Sequence, residues 1–394
     1  MAPGLSTPSL RATQTTGDSI HDRYRVLRKL GAGCFATVYL AHPIGHRDKL
    51  AVKVMDLRRK GDPRGAVDER RREAFREEVC MLKLAGSGPH VLKAYESAEE
   101  NMYGYIVMER CTKTVLRVLE SIPVLTERSI RRIFREMLKG ISAAHSAGII
   151  HRDIKPDNFL CFGPEATVKL CDFGLAVSLT RPRANGDRGA GVSSVTGVNG
   201  TPPYMAPEML QGATYDTKVD MWSFGVVMYS LLFGQFPYLP AKPCAQSMKA
   251  AIVAGFPEPS FRASPMLGAH MVSAEAAHLM RKLLSRDPAG RPDVAGALRH
   301  DFFCKVPDPG EESVCTLRPA LHAAKRAGVF DTRRQKQSSD MDVRIAALQD
   351  RSAPGCGQKL LADWGKASGC EDDSTDDDLP SRATVVSDGG SSRS

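Results

Sequence analysis

The early part of the chain has strand-like patterning, and a long stretch beyond it has helical patterning. Residues 24–30, 37–41 and 50–55 fit β-strands, and a further apolar run at 105–108 predicts another strand. Along 126–147 the apolar positions recur every three or four residues, as on one face of a helix. The pattern therefore predicts a group of strands first and a long helix after them.

Both ends of the chain lack such regular patterning. Residues 1–22 are rich in Ser, Thr, Pro and Gly without apolar periodicity, and we expect them to be disordered. The tail over 305–394 is expected to be largely disordered as well. Within it, 317–330 and 341–348 have the spacing of short basic amphipathic helices.

The composition limits the classes of protein to which the chain can belong. Its 54 Lys and Arg against 45 Asp and Glu give a net charge of +9, but basic and acidic residues are interspersed. A solvated surface is therefore favoured over a nucleic-acid interface. The ten cysteines form no CxxC pair, and no signal peptide or membrane-spanning run is recognised. We expect a cytoplasmic or nuclear monomer that binds neither nucleic acid nor a membrane.

The candidate chemistry is concentrated in the stretch 151–158, His-Arg-Asp-Ile-Lys-Pro-Asp-Asn, and in an Asp-Phe-Gly triplet that begins at Asp172. Asp153 can accept the proton of an attacking hydroxyl, and Lys155 can neutralise charge on a moving phosphoryl group. Asn158 and Asp172 offer oxygen ligands suited to magnesium, a hard cation. These residues in this order resemble the catalytic loop and metal-binding turn of a eukaryotic protein kinase.

A turn containing Gly31 and Gly33 joins the first two strands, and glycines let backbone N–H groups approach phosphates closely. Its position before a strand with the sequence Ala-Val-Lys resembles the glycine-rich loop of protein kinases, although Ala36 stands where a third glycine is usual. In this resemblance Met108 is the gatekeeper before a hinge that binds adenine. The resemblance implies that ATP contacts Leu30, Gly31, Ala32, Gly33, Phe35, Val38, Ala51, Lys53, Met108, Glu109, Cys111 and Leu160.

Lys53 needs a carboxylate that holds it toward the phosphates. Residues 67–84 are predicted to form a helix, and Glu78 shares its apolar face whereas Glu77 does not. We therefore expect Glu78 to pair with Lys53. The alternative is that Glu78 is a solvated helix residue.

Later motifs extend the resemblance. Residues 200–208 resemble the kinase loop that positions a protein substrate, and 220–225 resemble the buried helix that steadies the catalytic loop. The alternative for Asp220 is a simple helix N-cap. The resemblance implies three contacts: Thr201 with Asp153 and Lys155, Glu208 with Arg291, and Asp220 with the catalytic loop.

The resemblance covers residues 23–304, which we identify as a protein kinase domain. It implies an α+β, two-lobed kinase fold with a small, mostly β N-lobe and a larger, mostly α C-lobe. It also implies ATP and Mg²⁺ as cofactors and protein substrates. Lys155 and Thr201 indicate transfer to Ser or Thr rather than Tyr. A catalytically inactive scaffold and a small-molecule kinase are the alternatives.

The group within the family is indicated by two strings. Residues 215–220 and 279–284 most resemble calmodulin-dependent or calcium-dependent kinases, with polo-like and related families left open. The tail helices could bind calmodulin or fold back over a substrate groove. Packing on the large lobe without regulation is the favoured interpretation.

Ser193, Ser194 and Thr196 lie where many kinases carry an activating phosphate. Such a phosphate needs several cations, and Arg152 offers one. The two other positions at which cations are common, five after Asp172 and four before Glu78, hold Val and Ala. We therefore predict that phosphorylation of this loop occurs but is not required for activity.

Overall fold

The structure is a computed structural model that describes residues 19–33, 36–59, 65–180, 194–262, 272–305 and 316–330. Its first part is dominated by a β-sheet and its later part by helices. This arrangement confirms the α+β, two-lobed architecture that the resemblance implies. Within the described ranges, no helix is long and apolar enough to cross a membrane.

Residues 19–22, which were expected to belong to a disordered N-terminal tail, are described by the structure and contact the small lobe. Ser19 caps a short helix, α1 (Ile20–Arg23), and the side chain of Ile20 is fully buried. Glu100 accepts hydrogen bonds from the Ser19 hydroxyl at 2.7 Å and from the Ile20 N–H at 2.8 Å. A carboxylate distant in sequence thus orders residues 19–22, and local composition gives no sign of it.

The small lobe is a five-stranded antiparallel sheet in the order β1-β2-β3-β5-β4. Its strands are β1 (Tyr24–Ala32), β2 (Ala36–Pro43), β3 (Leu50–Asp56), β4 (Ala94–Glu100) and β5 (Tyr103–Glu109). Helix α2 (Glu69–Ala85) packs on β4 and β5. Phe75 lies directly over Gly104, where a Cβ atom would stand 2.5 Å from the ring. Close packing of the helix on the sheet therefore requires glycine there.

The large lobe is built around two helices. Its elements are β6 (Lys113–Thr114), α3 (Val115–Ser121), α4 (Glu127–Ser146), β7 (Ile149–Ile150), β8 (Phe159–Phe162), β9 (Thr167–Leu170), β10 (Val177–Ser178), α5 (Pro207–Leu210), α6 (Lys218–Phe233), α7 (Ala245–Ala254), α8 (Ala274–Leu283), α9 (Val294–Leu298), α10 (Asp301–Cys304) and α11 (Arg318–Arg326). Helix α4 begins after Thr126, whose side chain accepts from the Ser129 N–H in a capping box. Helix α6 is buried along its length after Lys218 and forms the centre of the lobe.

Helix α11 lies within the expected amphipathic segment 317–330. Its buried residues Ala320, Leu321 and Ala324 face the large lobe, against the end of α6. The Leu317 N–H donates to the Leu125 carbonyl at 2.7 Å. The segment 341–348 lies outside the described residues.

Candidate active site

Lys53 joins two carboxylates between the lobes. Its Nζ lies 2.6 Å from Glu78 Oε1 and 2.9 Å from Asp172 Oδ1. Glu78 is buried on the inner face of α2, whereas Glu77 is exposed, as the helical pattern predicts. We call Lys53, Glu78 and Asp172 the inter-lobe cluster.

The charges of Lys53 and Asp172 stabilise each other, whereas burial, only partly offset by Lys53, raises the pKa of Glu78. Lys53, whose ammonium lies 2.9 Å from the carboxylate, holds the pKa of Asp172 well below its usual range. Burial alone would lower the pKa of Lys53, but Asp172 and Glu78 outweigh it and raise that pKa. Lys53 therefore remains a cation and Asp172 an anion at neutral pH, which is the charge state that nucleotide and metal binding require.

Two side chains of the catalytic loop and one from residues 200–208 form a second group, which we call the catalytic cluster: Asp153, Lys155 and Thr201. Lys155 Nζ donates to Asp153 Oδ2 at 2.6 Å and to the Thr201 hydroxyl at 2.8 Å. The Thr201 hydroxyl in turn donates to Asp153 Oδ1 at 2.6 Å. All three residues are buried. Both oxygens of the Asp153 carboxylate are therefore oriented before any substrate arrives.

Asp220 fixes the backbone of this loop from inside α6. Its Oδ2 accepts from the His151 N–H at 2.8 Å, and its Oδ1 accepts from the Arg152 N–H at 2.9 Å. Arg152 has a φ of 65°, an unfavourable backbone conformation for a residue with a side chain, and these bonds compensate for it. Thr217 occupies the N-cap position of α6, so Asp220 contacts the catalytic loop instead of serving as a cap.

The residues implied to bind nucleotide lie on both lobes. Ala51 on β3 is paired with Met108 on β5, and both are buried. Val38 lies on β2, and Leu160 lies across the cleft on β8. Residues 30–33 form the end of β1 and the turn beyond it, whereas Phe35 lies outside the described residues.

At the hinge, the side chain of Glu109 is already engaged by other residues of the protein. The Glu109 carboxylate lies 2.8 Å from Lys169 Nζ and accepts from the Lys93 N–H at 2.6 Å, so it points into the protein. Burial raises the pKa of the Cys111 thiol to about 12, which keeps it protonated at neutral pH. The local sequence does not reveal the inward turn of Glu109, because Lys169 is distant in the chain.

Asn158 and Asp172 have the donor set for a magnesium ion. Asn158 Nδ2 donates to the Asp153 carbonyl at 2.7 Å, which directs its amide oxygen away from that bond. Among the described residues, no cluster of three or more His, Cys, Asp or Glu side chains could hold a metal ion. One carboxylate and one amide nevertheless fit Mg²⁺, which keeps several waters and takes its other ligands from phosphates.

A buried ion pair supports the substrate side of the site. Arg291 Nη1 lies 2.5 Å from Glu208 Oε1, and Arg291 Nη2 lies 2.8 Å from Glu208 Oε2. The guanidinium also lies 4.9 Å from the ring of Trp222 on α6. The loop that carries Thr201 is thus tied to the core of the large lobe.

Comparison with known proteins agrees with this geometry. The sequence model described as the protein kinase domain matches residues 24–303. A probable myosin light chain kinase of Dictyostelium discoideum is 31% identical over 351 residues, covering 86% of this chain and 92% of that protein.

Two further relatives are longer proteins. The serine/threonine-protein kinase kin-29 of Caenorhabditis elegans is 31% identical over 76% of this chain, and CBL-interacting protein kinase 17 of Oryza sativa is 32% identical over 72%. The match spans 33% of the first and 57% of the second.

Proposed function

We propose that Asp153 is the general base of this chain, which belongs to the protein kinase family and is an ATP-dependent serine/threonine protein kinase. The observation that carries the assignment is the Asp153 carboxylate, fixed by Lys155 and Thr201 at 2.6 Å each. A base held in this way can orient a substrate hydroxyl and accept its proton.

Lys155 and Lys53 neutralise charge at two different points. Lys155 contacts Asp153 and so lies beside the incoming hydroxyl, where it can stabilise charge on the phosphoryl group. Lys53 is aimed by Glu78 from α2, and we assign it to the ATP phosphates. Asn158 and Asp172 would hold Mg²⁺, which supplies charge neutralisation between the phosphates when bound.

Residues beside the phosphoacceptor site indicate a preference for an apolar side chain after the acceptor. Val198 is 46% exposed and therefore offers apolar surface to a substrate, whereas Pro202 and Met205 are buried. Asp157 is one acidic contact for an upstream arginine, and residues 112–114 add no acidic side chain. We therefore propose only a mild preference for arginine upstream of the acceptor.

Within the family, we propose membership of the calmodulin-dependent or calcium-dependent group. The motif strings and the similarity to a probable myosin light chain kinase support it. Polo-like kinases are the alternative. For the tail, we propose that α11 packs on the large lobe as a structural element, with calmodulin binding as the alternative.

The test is phosphoryl transfer by the purified full chain to a degenerate peptide library containing Ser, Thr and Tyr acceptors. We expect Mg²⁺-dependent labelling of Ser and Thr with little on Tyr, and enrichment of apolar residues after the acceptor. ATP turnover without peptide labelling would point to a small-molecule kinase. Absence of nucleotide turnover with and without Mg²⁺ would point to an inactive scaffold.

A further inference from the structure

Tyr215 lies between α5 and α6 and is bonded to the end of the activation segment. Its N–H donates to the Val195 carbonyl, and the Val195 N–H donates to its carbonyl, both at 2.8 Å. Its hydroxyl donates to the Gly197 carbonyl at 2.7 Å. The side chain is only 3% exposed, so these bonds are shielded from competing water. One residue outside the segment therefore fixes the backbone of 195–197.

The same hydroxyl meets the arginine of the catalytic loop. Arg152 Nη1 donates to the Tyr215 hydroxyl at 3.4 Å, and Arg152 Nε donates to the Leu175 carbonyl at 2.6 Å. Leu175 comes directly after the Asp-Phe-Gly triplet. Arg152 and Tyr215 together thus connect both ends of the activation segment to the catalytic loop.

This connection continues to the catalytic cluster. Gly200 has a φ of 126° and lies so near the Arg152 carbonyl that a Cβ atom would stand 2.4 Å from its oxygen. Thr201 follows and donates to Asp153 at 2.6 Å. The stretch 195–201 is therefore held at its start by Tyr215 and at its end by the catalytic loop, with exposed Val198 between them.

In phosphate-activated kinases, an added phosphate bonded to several cations performs this ordering. Here Val177 on β10 and Ala74 on α2 occupy two of the positions where such cations would stand. Arg152 already has two protein partners. Residues 195–197 are instead held by hydrogen bonds to the backbone and hydroxyl of Tyr215, which need no modification.

We propose that Tyr215 is a positioning residue that takes the place of an activating phosphate: it holds residues 195–197 so that Val198 and Thr201 are in place for a protein substrate. The inference rests on the proposed function, because Thr201 matters only if Asp153 is the base. It predicts that the unmodified chain is active and that its activity depends on the Tyr215 hydroxyl.

The test compares Tyr215→Phe with Tyr229→Phe in the full chain. Both changes keep a buried ring and remove one hydroxyl that donates to a carbonyl at 2.7 Å, Gly197 in one case and Ser260 in the other. We expect Tyr215→Phe to lower kcat/KM for a peptide about 10-fold, as the loss of one buried hydrogen bond allows. Tyr229→Phe should stay within about twofold of wild type, because one α6 hydroxyl far from the segment should matter little.

Comparing nucleotide binding with peptide phosphorylation separates a positioning role of Tyr215 from general destabilisation of the protein. The Kd for nucleotide should be unchanged in Tyr215→Phe, because the inter-lobe cluster is not touched, and both variants should have similar Tm values. A Tyr215→Phe enzyme that matches Tyr229→Phe in kcat/KM would overturn the proposal. So would an equal loss of nucleotide and peptide binding.

Phosphate dependence is tested on the wild-type chain. Phosphatase treatment, and the combined Ser193→Ala, Ser194→Ala and Thr196→Ala variant, should each keep more than half of the turnover. Loss of nine-tenths in both would show that a phosphate is essential and overturn the proposal. Ser193 lies outside the described residues and enters this test from the sequence alone.

Hydrogen exchange separates failure of this inference from failure of the proposed function. The Val195 amide of the phosphatase-treated chain should be protected, and Tyr215→Phe should speed its exchange, whether or not the chain phosphorylates a substrate. Exchange of the Val195 amide at the rate of an unstructured peptide would overturn the inference even in an active kinase. A protected amide in a chain without transferase activity would instead contradict the proposed function.

Discussion

The catalytic cluster and the inter-lobe cluster both hold a carboxylate beside a lysine, but they are built differently. Asp153 and Lys155 are two residues apart in one loop, and their side chains are 7% and 4% exposed. Lys53 and Asp172 are separated by 119 residues, and their side chains are 15% and 49% exposed. The first pair belongs wholly to the large lobe, whereas the second joins the lobes and depends on the position of α2.

This difference predicts where the activity can be controlled. The catalytic cluster is formed by bonds within one packed lobe and is tied to Asp220 on the buried helix α6. The inter-lobe cluster forms only while α2 keeps Glu78 turned toward Lys53. Displacement of α2 would therefore abolish the positioning of Lys53 without disturbing Asp153. ATP binding can thus be regulated separately from the general base.

Among substitutions in α2 and α11, the larger effect is expected when Glu78→Gln is compared with Glu77→Gln. Loss of a charged partner at 2.6 Å from Lys53 should lower kcat/KM for ATP about 10- to 100-fold, since hydrogen bonds to charged groups contribute about 1.5–3 kcal/mol. Glu77→Gln removes the same charge from an exposed position and should change kcat/KM less than about twofold. Steady-state kinetics at varied ATP measure both.

Equal effects in the two variants would contradict the assignment of Glu78. A loss in Glu78→Gln that fell on peptide KM and left ATP KM unchanged would contradict the separation of the two clusters.

The smallest expected effect concerns α11, which touches neither cluster directly. Leu321→Ala removes a buried side chain and should lower the free energy of unfolding by about 2–4 kcal/mol, while turnover stays within about twofold. His322→Ala, at an exposed neighbour, should change neither quantity. Chemical denaturation measures the free energy of unfolding, and kinase assays with and without calcium–calmodulin measure turnover.

A rise in turnover of Leu321→Ala above about fivefold would show that α11 restrains the enzyme. In that case a regulatory tail would replace the packing element proposed above.

The spacing of apolar residues along the sequence predicts the features that depend on residues close together in the chain. The apolar face of α2 identified Glu78, and the spacing of residues 126–147 matched α4 with its Thr126 cap. The order of the motifs implied that Thr201 and Asp220 contact the catalytic loop, and the structure contains both contacts. The first two predictions rest on residues within one helix, whereas the contacts of Thr201 and Asp220, 48 and 68 residues from their partners, were implied by the resemblance to protein kinases.

The features that the sequence did not reveal depend on partners far along the chain. Residues 19–22 are ordered by Glu100, about 80 residues away. The inward turn of Glu109 depends on Lys169, and the bond from Tyr215 to Gly197 depends on how the activation segment returns to α6. No periodicity within a single element carries information on such pairs.

Asp153 is assigned to the chemical step, whereas Asp172 is assigned to nucleotide and metal binding. The most direct measurement is kcat together with the Kd for Mg²⁺-ATP, on Asp153→Asn and Asp172→Ala proteins whose folding is verified by Tm. We predict that Asp153→Asn lowers kcat at least ~100-fold with Kd within about twofold of wild type. Asp172→Ala should lower kcat as strongly and weaken Mg²⁺-ATP binding as well, because it removes a metal ligand. A folded Asp153→Asn protein with near wild-type kcat would contradict the assignment of Asp153 as the general base.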